Sequence, residues 1–427
     1  MVGPDYVALA IPLFFAFIGL EIAVARKQRR TVYHFADVIT DLACGVSQQV
    51  TGVFMASGLI ALYVYVYEHG RLVTFSEGSV APWLIAAFGV DLCYYWWHRL
   101  SHRVNVLWAV HVVHHSSEDF NLAVALRQEV FGDVTAAPFY LVLAILGVTP
   151  LAVFTVRSLS LIYQFWIHTE IVGKLGLLDR WVNTPSTHRV HHAVNERYID
   201  RNYAAVLMIW DRLFGSYEPE TEACVYGLSK PLRSFNPLWA QVHHWVAMAK
   251  AAAAAPNFWQ GFQVFVRPPG WCPPWLLATR LDETPISPQT VVKYEVAPRQ
   301  GLNAYVSVQF ALVSATTFTL LMPGAGLSLW TRGALAVWTI ASLWAWGALL
   351  EAKSWGVTLE ATRLLFGCLA GAVWMRSAGL PAHDMLPAFG VAVSSMFWLS
   401  RLCAAWSRRD GCKNSFHAAW PATIPEE

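Results

Sequence analysis

Residues 98–115 of the chain read HRLSHRVNVLWAVHVVHH, and this stretch decides how the rest of the sequence is interpreted. Its histidines follow directly after an apolar run that is long enough to cross a membrane. A similar group, HRVHH, occurs at 188–192. Together the two stretches contain three histidine boxes, and their eight members are His98 and His102, then His111, His114 and His115, then His188, His191 and His192.

The spacing within each box places imidazoles on one face of a helix. His98 and His102 are one turn apart, so both can point at one centre. In an HxxHH box the three side chains spread over roughly 100° of the helix surface and can reach two adjacent ions. Neutral imidazole suits iron, zinc, copper or nickel, and eight ligands exceed what one tetrahedral zinc ion requires. The sequence therefore predicts a site for two metal ions.

Other histidines and carboxylates lie near the boxes in the sequence. His168, in FWIHTE, is either a ninth ligand or a histidine that supports the site or the membrane interface. Glu118, Asp119 and Glu170 either accept the second N–H of a metal-bound imidazole or belong to a solvated surface. We expect the remaining histidines to be ordinary core or interfacial residues, and these are His34, His69, His243, His244, His383 and His417.

Composition and apolar runs indicate a membrane protein. The 427 residues are 56% hydrophobic and 14% charged with a net charge of +2, which excludes disorder and gives no field for nucleic acid. Residues 134–168 read as a helical hairpin that adds two passes. We expect an all-α, polytopic membrane helical bundle of about nine spans. The other apolar runs lie near 6–25, 42–66, 81–97, 305–322, 333–350, 358–378 and 387–405.

Basic residues predict the orientation of the chain. Arg26, Lys27, Arg29 and Arg30 follow the first run, which lacks a cleavage site and is interpreted as a retained span. Counting from this cytoplasmic loop places the histidine boxes on the cytoplasmic side. The expected order is N-terminal spans in 1–80, the metal domain in 81–220, a cytoplasmic or interfacial segment in 221–300, C-terminal spans in 301–406 and a cytoplasmic tail in 407–427.

The histidine boxes by themselves leave several chemistries open. Two irons in a nitrogen-rich shell suit reductive activation of O₂ and attack on an unactivated C–H bond. A zinc-dependent membrane hydrolase shares the ligand type, but it needs a general base beside a metal-bound water, and the sequence has no HExxH motif. Haem takes isolated histidines on facing helices rather than clustered triplets. A non-catalytic membrane scaffold is the remaining alternative.

The boxes, in the order HxxxH, HxxHH and HxxHH, resemble those of the fatty acid hydroxylase/sterol desaturase superfamily of membrane di-iron oxygenases. That resemblance implies that the eight boxed histidines bind two Fe ions. Three longer stretches resemble the branch of the superfamily that cleaves alkylglycerol ether lipids. These are HVVHHSSEDFNLAVALRQ (111–128), WIHTEIVGKLG (166–176) and NTPSTHRVHHAVNERYIDRNYAAVLMIWDRLFGSYEPE (183–220).

The resemblance also implies an activity. A lipid from the bilayer would be hydroxylated with O₂ beside its ether oxygen, and the product would break down to an aldehyde and a glycerol derivative. Electrons would come from reduced pterin, tetrahydrobiopterin in that branch, or from a redox protein. The alternative is a hydroxylase or desaturase of a fatty acyl, sterol or carotenoid substrate. The chain has Arg103 where the ether-lipid branch has a glutamate after the first box, and HRLSHR is typical of the broader group.

Overall fold

The structure is a computed structural model that describes residues 6–279, 291–322, 326–377 and 386–410. Within these ranges the regular elements are helices, and extended pairing is limited to the isolated bridges Val182–Leu207 and Ala193–Tyr226. The all-α class is therefore confirmed. The described residues divide into two compact units, one within 1–294 together with 320–326 and the other within 295–319 and 327–427.

Helices of the first unit surround the histidine boxes, whereas those of the second are long and apolar. The first unit contains α1 (Tyr6–Lys27), α2 (Phe35–Gly70), α3 (Ala81–Arg103), α4 (Asn105–His111), α5 (Gly132–Ile145), α6 (Pro150–Trp166), α7 (Pro185–His192), α8 (Ile209–Leu213), α9 (Pro237–Ala253) and α10 (Phe258–Val266). The C-terminal helices are α11 (Leu302–Leu321), α12 (Leu329–Leu350), α13 (Gly356–Ser377) and α14 (Leu386–Asp410).

Six of the described helices, α1, α2 and α11–α14, are long and apolar enough to cross a membrane. By length and composition the described residues therefore contain six candidate membrane spans, fewer than the nine or so expected from the sequence. Helices α5 and α6 have 14 and 17 residues, so they reach about 21 and 26 Å, less than the hydrocarbon core of about 30 Å. Helix α3 is long enough, but from its middle onward it carries charged and histidine side chains, among them Asp91 and Arg99.

Helices α3, α5 and α6 pack beside the C-terminal half of α2. The Leu72 N–H, just after α2, donates to the Ile145 carbonyl at 2.7 Å, and the Tyr63 hydroxyl donates to the Val148 carbonyl at 2.9 Å. Between them Gly147 adopts φ +82°, and a Cβ there would lie 2.0 Å from the Val73 carbonyl oxygen, so only glycine fits. The α5–α6 turn is thus held at the level where α2 ends.

A buried carboxylate joins α1 to the loops around the histidines. Glu21 accepts the Leu122 N–H at 2.8 Å and hydrogen bonds from the hydroxyls of Tyr33 and Thr169. A carboxylate inside an apolar helix is stabilised only when donors surround it, as they do here. Helix α1 therefore lies against the segments that carry the second box and His168.

The second unit has a polar centre among apolar helices. The Arg363 guanidinium of α13 donates to the Glu360 carboxylate at 2.6 and 2.8 Å and to the Gln309 side-chain oxygen at 2.8 Å. The Tyr305 hydroxyl donates to Glu360 at 2.6 Å. Because these groups satisfy one another, the ion pair links α11 to α13 in an apolar environment.

Candidate metal centre

The structure brings all eight boxed histidines together with His168, and all nine are buried. They form two groups, and within each group one nitrogen of every residue lies within 4.8 Å of the others. Both HxxHH boxes contribute to both groups, so the predicted convergence of the boxes is confirmed. The first group is His98, His102, His111, His115 and His191, and the second group is His114, His168, His188 and His192.

Each box is placed by a helix end rather than by the middle of a helix. The first box occupies the last turns of α3, and α4 ends at His111 before a short 3₁₀ turn, His114–Ser116. The third box lies in α7, which begins with Pro185 after Thr184. The Thr184 hydroxyl accepts the Thr187 N–H, and proline suits the first helical position, so this short helix has a defined start.

Distances between imidazole nitrogens match those between neighbouring ligands of one ion. The His188 and His168 Nε2 atoms are 2.9 Å apart, and His114 to His168 is 3.2 Å. Nε2 of His188 is 3.2 Å from that of His192, and in the first group His111 and His115 are separated by the same distance. Two nitrogens about 2.1 Å from one ion and at right angles would be about 3.0 Å apart.

Several of these nitrogens have no hydrogen-bond partner among the described residues. They are the Nε2 atoms of His98, His102 and His191 in the first group. A buried nitrogen without a partner costs free energy, and a bound metal ion would remove that cost. The orphaned nitrogens therefore fit a metal site.

Backbone carbonyls orient the rings. The Nδ1 atoms of His98 and His191 lie 2.8 and 2.9 Å from the carbonyl oxygens of Tyr203 and Arg201. His114 and His168 make the same kind of contact, at 3.0 and 2.8 Å, with the carbonyls of Arg127 and Gln164. An Nδ1–H that donates to a carbonyl leaves the Nε2 lone pair free to bind a metal ion.

Burial lowers the pKa of eight of the nine imidazoles and keeps these eight neutral. Desolvation, reinforced by the neighbouring His111, lowers the pKa of His114 to about 4. Desolvation also lowers the pKa of His191 to about 3, although its hydrogen bond to the Arg201 carbonyl acts in the opposite direction. The same cause holds the pKa of His188 well below the usual range. Neutral imidazole is the form that binds metals, so the groups are ready for ligation at neutral pH.

The three carboxylates considered from the sequence do not contact the histidine groups. Glu118 accepts the Tyr294 N–H at 2.6 Å, and Glu170 pairs with Arg30 at 3.5 Å. Asp119 accepts the backbone N–H of His34 at 2.9 Å and pairs with Lys293. The hypothesis that they orient metal-bound imidazoles is corrected, because their oxygens are engaged with residues outside both groups.

Two other carboxylates lie next to the first group. Glu129 is buried, and its Oε1 is 3.3 Å from His111 Nδ1. An Asp200 oxygen is 3.9 Å from His102 Nδ1, and the other oxygen is 3.2 Å from an Arg103 nitrogen. Sequence reasoning missed Glu129 and Asp200 because neither has a fixed spacing from a box. For Glu129 a signal existed, since it is a charged residue between the second box and an apolar helix.

Arg127 joins the second box to α2. The side chain is buried, and its Nε donates to the Val113 carbonyl and to the Ser116 hydroxyl, both at 3.0 Å. Its Nη1 donates to Asp41 of α2 at 2.8 Å. The Arg127 carbonyl also accepts a hydrogen bond from the His114 ring. Arg127 therefore positions the whole turn that carries the second box.

The histidines expected to be ordinary residues lie outside both groups. The His34 ring pairs with Asp119, and His69 stacks on Tyr65 with ring centroids 4.5 Å apart. His243 lies 3.0 Å from the Ala240 carbonyl, and His244 contacts the Asn105 side-chain oxygen at 2.7 Å. His383 and His417 lie outside the described residues.

Comparison with known proteins matches residues 83–216 to the fatty acid hydroxylase family. Human alkylglycerol monooxygenase is 38% identical over 364 residues, which are 85% of this chain and 81% of that protein. Alkylglycerol monooxygenase of Danio rerio is 35% identical over 410 residues, 92% and 89% of the two chains. The ornithine lipid hydroxylase of Rhizobium tropici is 31% identical over 31% of this chain and 40% of its own. No solved structure is significantly similar.

Proposed function

The chain belongs to the fatty acid hydroxylase family of di-iron-type hydroxylases, and from that membership we propose that it hydroxylates a C–H bond of a membrane lipid with O₂. The observation that carries the proposal is the pair of buried histidine groups, in which nine imidazoles converge. The alkylglycerol monooxygenases match most of the chain, and they favour an alkylglycerol ether lipid as the substrate.

The nine histidines would hold two iron ions, five at the first group and four at the second. Bound iron would supply the activation of O₂ that C–H hydroxylation requires. The chain contributes a rigid shell of neutral nitrogens from which bulk water is excluded by burial. Glu129 and Asp200 would add negative charge, and their direct contacts are with His111 and His102 of the first group, so the two ions would have unequal surroundings.

For an alkylglycerol, hydroxylation would occur at the carbon next to the ether oxygen. The resulting hemiacetal breaks down to an aldehyde and a glycerol derivative, and the second oxygen atom of O₂ leaves as water at the expense of two electrons. We propose reduced tetrahydrobiopterin as the donor, with a redox protein as the alternative. Arg103 is the observation that favours the alternative substrates, which are fatty acyl chains, sterols and carotenoids.

The chain is a multi-pass membrane protein, and we place the histidine groups on its cytoplasmic side. Arg26, Lys27, Arg29 and Arg30 follow α1, and an excess of basic residues marks cytoplasmic loops. Helix α2 begins just after that loop, and Asp37 and Asp41 in its first turns pair with Arg127 beside the second box. The boxes therefore lie on the side of the basic loop. The level of the α5–α6 turn supports the same assignment for His168.

Metal analysis and product analysis together test the proposal. Purified protein should contain about two irons per chain, whereas one zinc and no iron would refute it. Iron-replete membranes should release labelled fatty aldehyde from a labelled alkylglycerol with O₂ and reduced pterin. A stable alcohol or a new double bond from an acyl lipid or sterol would instead assign the alternative substrate class.

A further inference from the structure

Helix α10 leaves a row of large apolar side chains uncovered. Phe258 is 76% exposed, Trp259 72%, Phe262 48% and Val266 43%. We call these four residues the apolar face of α10. The adjoining helix α9 continues it with the exposed side chains of Trp239 and Val242.

The polarity of α10 is inverted relative to a helix on a water-soluble surface. The side toward the protein contains Gly261, where a Cβ would lie 3.1 Å from the Ala252 carbonyl oxygen of α9, and Val264, which packs with Ala109 and Met248. The polar side chains of α10, such as Gln260, are half-buried, whereas the exposed positions are apolar. A helix in contact with water would show the opposite arrangement.

The depth of α10 is set by α3. The last turns of α3 carry Arg99 and the exposed Arg103, and such cations favour the headgroup region over the hydrocarbon core. Just after α3, the Asn105 N–H donates to the Arg267 carbonyl at 3.0 Å, and the Asn105 side chain donates to the Val264 carbonyl at 2.8 Å. These bonds fix the end of α10 at the boundary between lipid and water.

Basic and tryptophan residues flank the apolar face. Lys250 is exposed in the last turn of α9. The exposed Arg267 follows α10, and its guanidinium lies 5.8 Å from the Trp271 ring centroid. Tryptophan, lysine and arginine are the residues that hold helices at the interface, where rings meet headgroups and cations meet anionic lipids.

We propose that the apolar face of α10 and the adjoining face of α9 lie in the leaflet on the side of the metal centre. The exposed apolar side chains of α9 and α10 are then embedded in the membrane rather than covered by another protein. Helix α4 packs between α10 and the histidines, and its half-buried Trp108 has its ring centroid 5.0 Å from that of His102 and 5.5 Å from that of His115. The lipid substrate therefore reaches the first histidine group from this leaflet, past Trp108, a step that rests on the proposed function.

Spin labels in proteoliposomes test the placement of α10. A label on Trp259→Cys should collide several-fold more often with O₂ than with a water-soluble nickel chelate, whereas the ratio should reverse for the exposed control Arg197→Cys. Labelled wild type supplies the background of native cysteines, and Phe262→Cys repeats the measurement if the first variant does not fold. Equal access of the nickel chelate to labels at positions 259 and 197 would overturn the placement. Spin–spin broadening that disappears on dilution with unlabelled protein would show a second copy there and would also overturn it.

Kinetics test the delivery step. Phe258→Glu/Trp259→Glu should raise KM for a long-chain lipid in vesicles about tenfold more than KM for a short-chain analogue dissolved in water, whereas Phe258→Ala/Trp259→Ala should change both KM values alike. An equal change in both KM values for the glutamate variant would refute delivery through this leaflet. Absence of turnover in the wild type would refute the proposed function and delivery with it, while the spin-label result would still decide the placement.

Discussion

Individual side chains make the two histidine groups unequal. Backbone carbonyls contact ring nitrogens in both groups, His98 and His191 in the first and His114 and His168 in the second. The first group differs in that His111 also lies beside the Glu129 carboxylate. A carboxylate makes the imidazole beside it a stronger donor than a carbonyl does.

Replacing His191 or His114 with Ala should lower bound iron and reduce turnover by at least about 100-fold, because one ligand of one group is removed. Iron per chain and aldehyde release measure the effect, and membrane insertion should be unchanged. His243→Ala is the matched control, since His243 is a half-buried histidine outside both groups. Turnover near that of wild type in His191→Ala would show that this histidine is not a ligand.

Glu129→Gln should weaken iron retention by about 10- to 100-fold, because His111 loses a charged acceptor while the side chain keeps its size. Titration with a chelator measures retention. Glu118→Gln is the control and should behave like wild type, since Glu118 contacts the Tyr294 backbone instead. If the two variants released iron equally, Glu129 would have no special role.

Among the elements, α2 does more than cross the membrane. It has 36 residues and a length of about 54 Å, so it extends well beyond the hydrocarbon core. Its first turns carry Asp37 and Asp41, which pair with Arg127. The part of α2 outside the core thus supports the turn that carries the second histidine box.

Arg127→Met should destabilise the protein by about 3–5 kcal/mol, because the buried Asp41 and Asp37 lose their cationic partner. Thermal unfolding in detergent measures the change. The double variant Arg127→Met/Asp41→Leu should recover part of the stability, since it removes one of the uncompensated carboxylates. No recovery in the double variant would contradict the ion-pair explanation. The exposed Arg197→Met should have little effect.

For the whole molecule, the metal ions and the helical framework are separable. The first unit has apolar clusters apart from the histidines, including the one formed by Ala86, Val90, Leu143 and Val153. The second unit is stabilised by its own buried ion pair, Glu360 with Arg363. None of these contacts involves a histidine of the two groups.

Removal of metal by a chelator should therefore abolish turnover but leave the helical content measured by circular dichroism nearly unchanged. Unfolding should occur at a lower temperature, because binding of ions to the folded state stabilises it. Adding Fe(II) should restore turnover, and adding Zn(II) should raise the unfolding temperature without restoring turnover. Turnover with Zn(II) alone would contradict a redox role for the site.

Much of this organisation follows from local sequence patterns. The apolar runs predict helices because a polar backbone in lipid must satisfy its own hydrogen bonds, and the HxxxH and HxxHH spacings place imidazoles on one face. The family that these boxes resemble is confirmed. The number of spans was harder to predict from the sequence, because α5 and α6 pack against both α2 and α3, and local hydrophobicity does not record that packing.

The sequence by itself determined that this protein is helical, membrane-bound and equipped with three histidine boxes, because helix formation and imidazole spacing depend on residues close together in the chain. Only the tertiary structure decided that His168 joins the second group, that Glu129 and Asp200 lie beside the first, and that Arg127 positions the second box. Those contacts join residues on different elements, and their distances depend on how helices pack, which no local periodicity records.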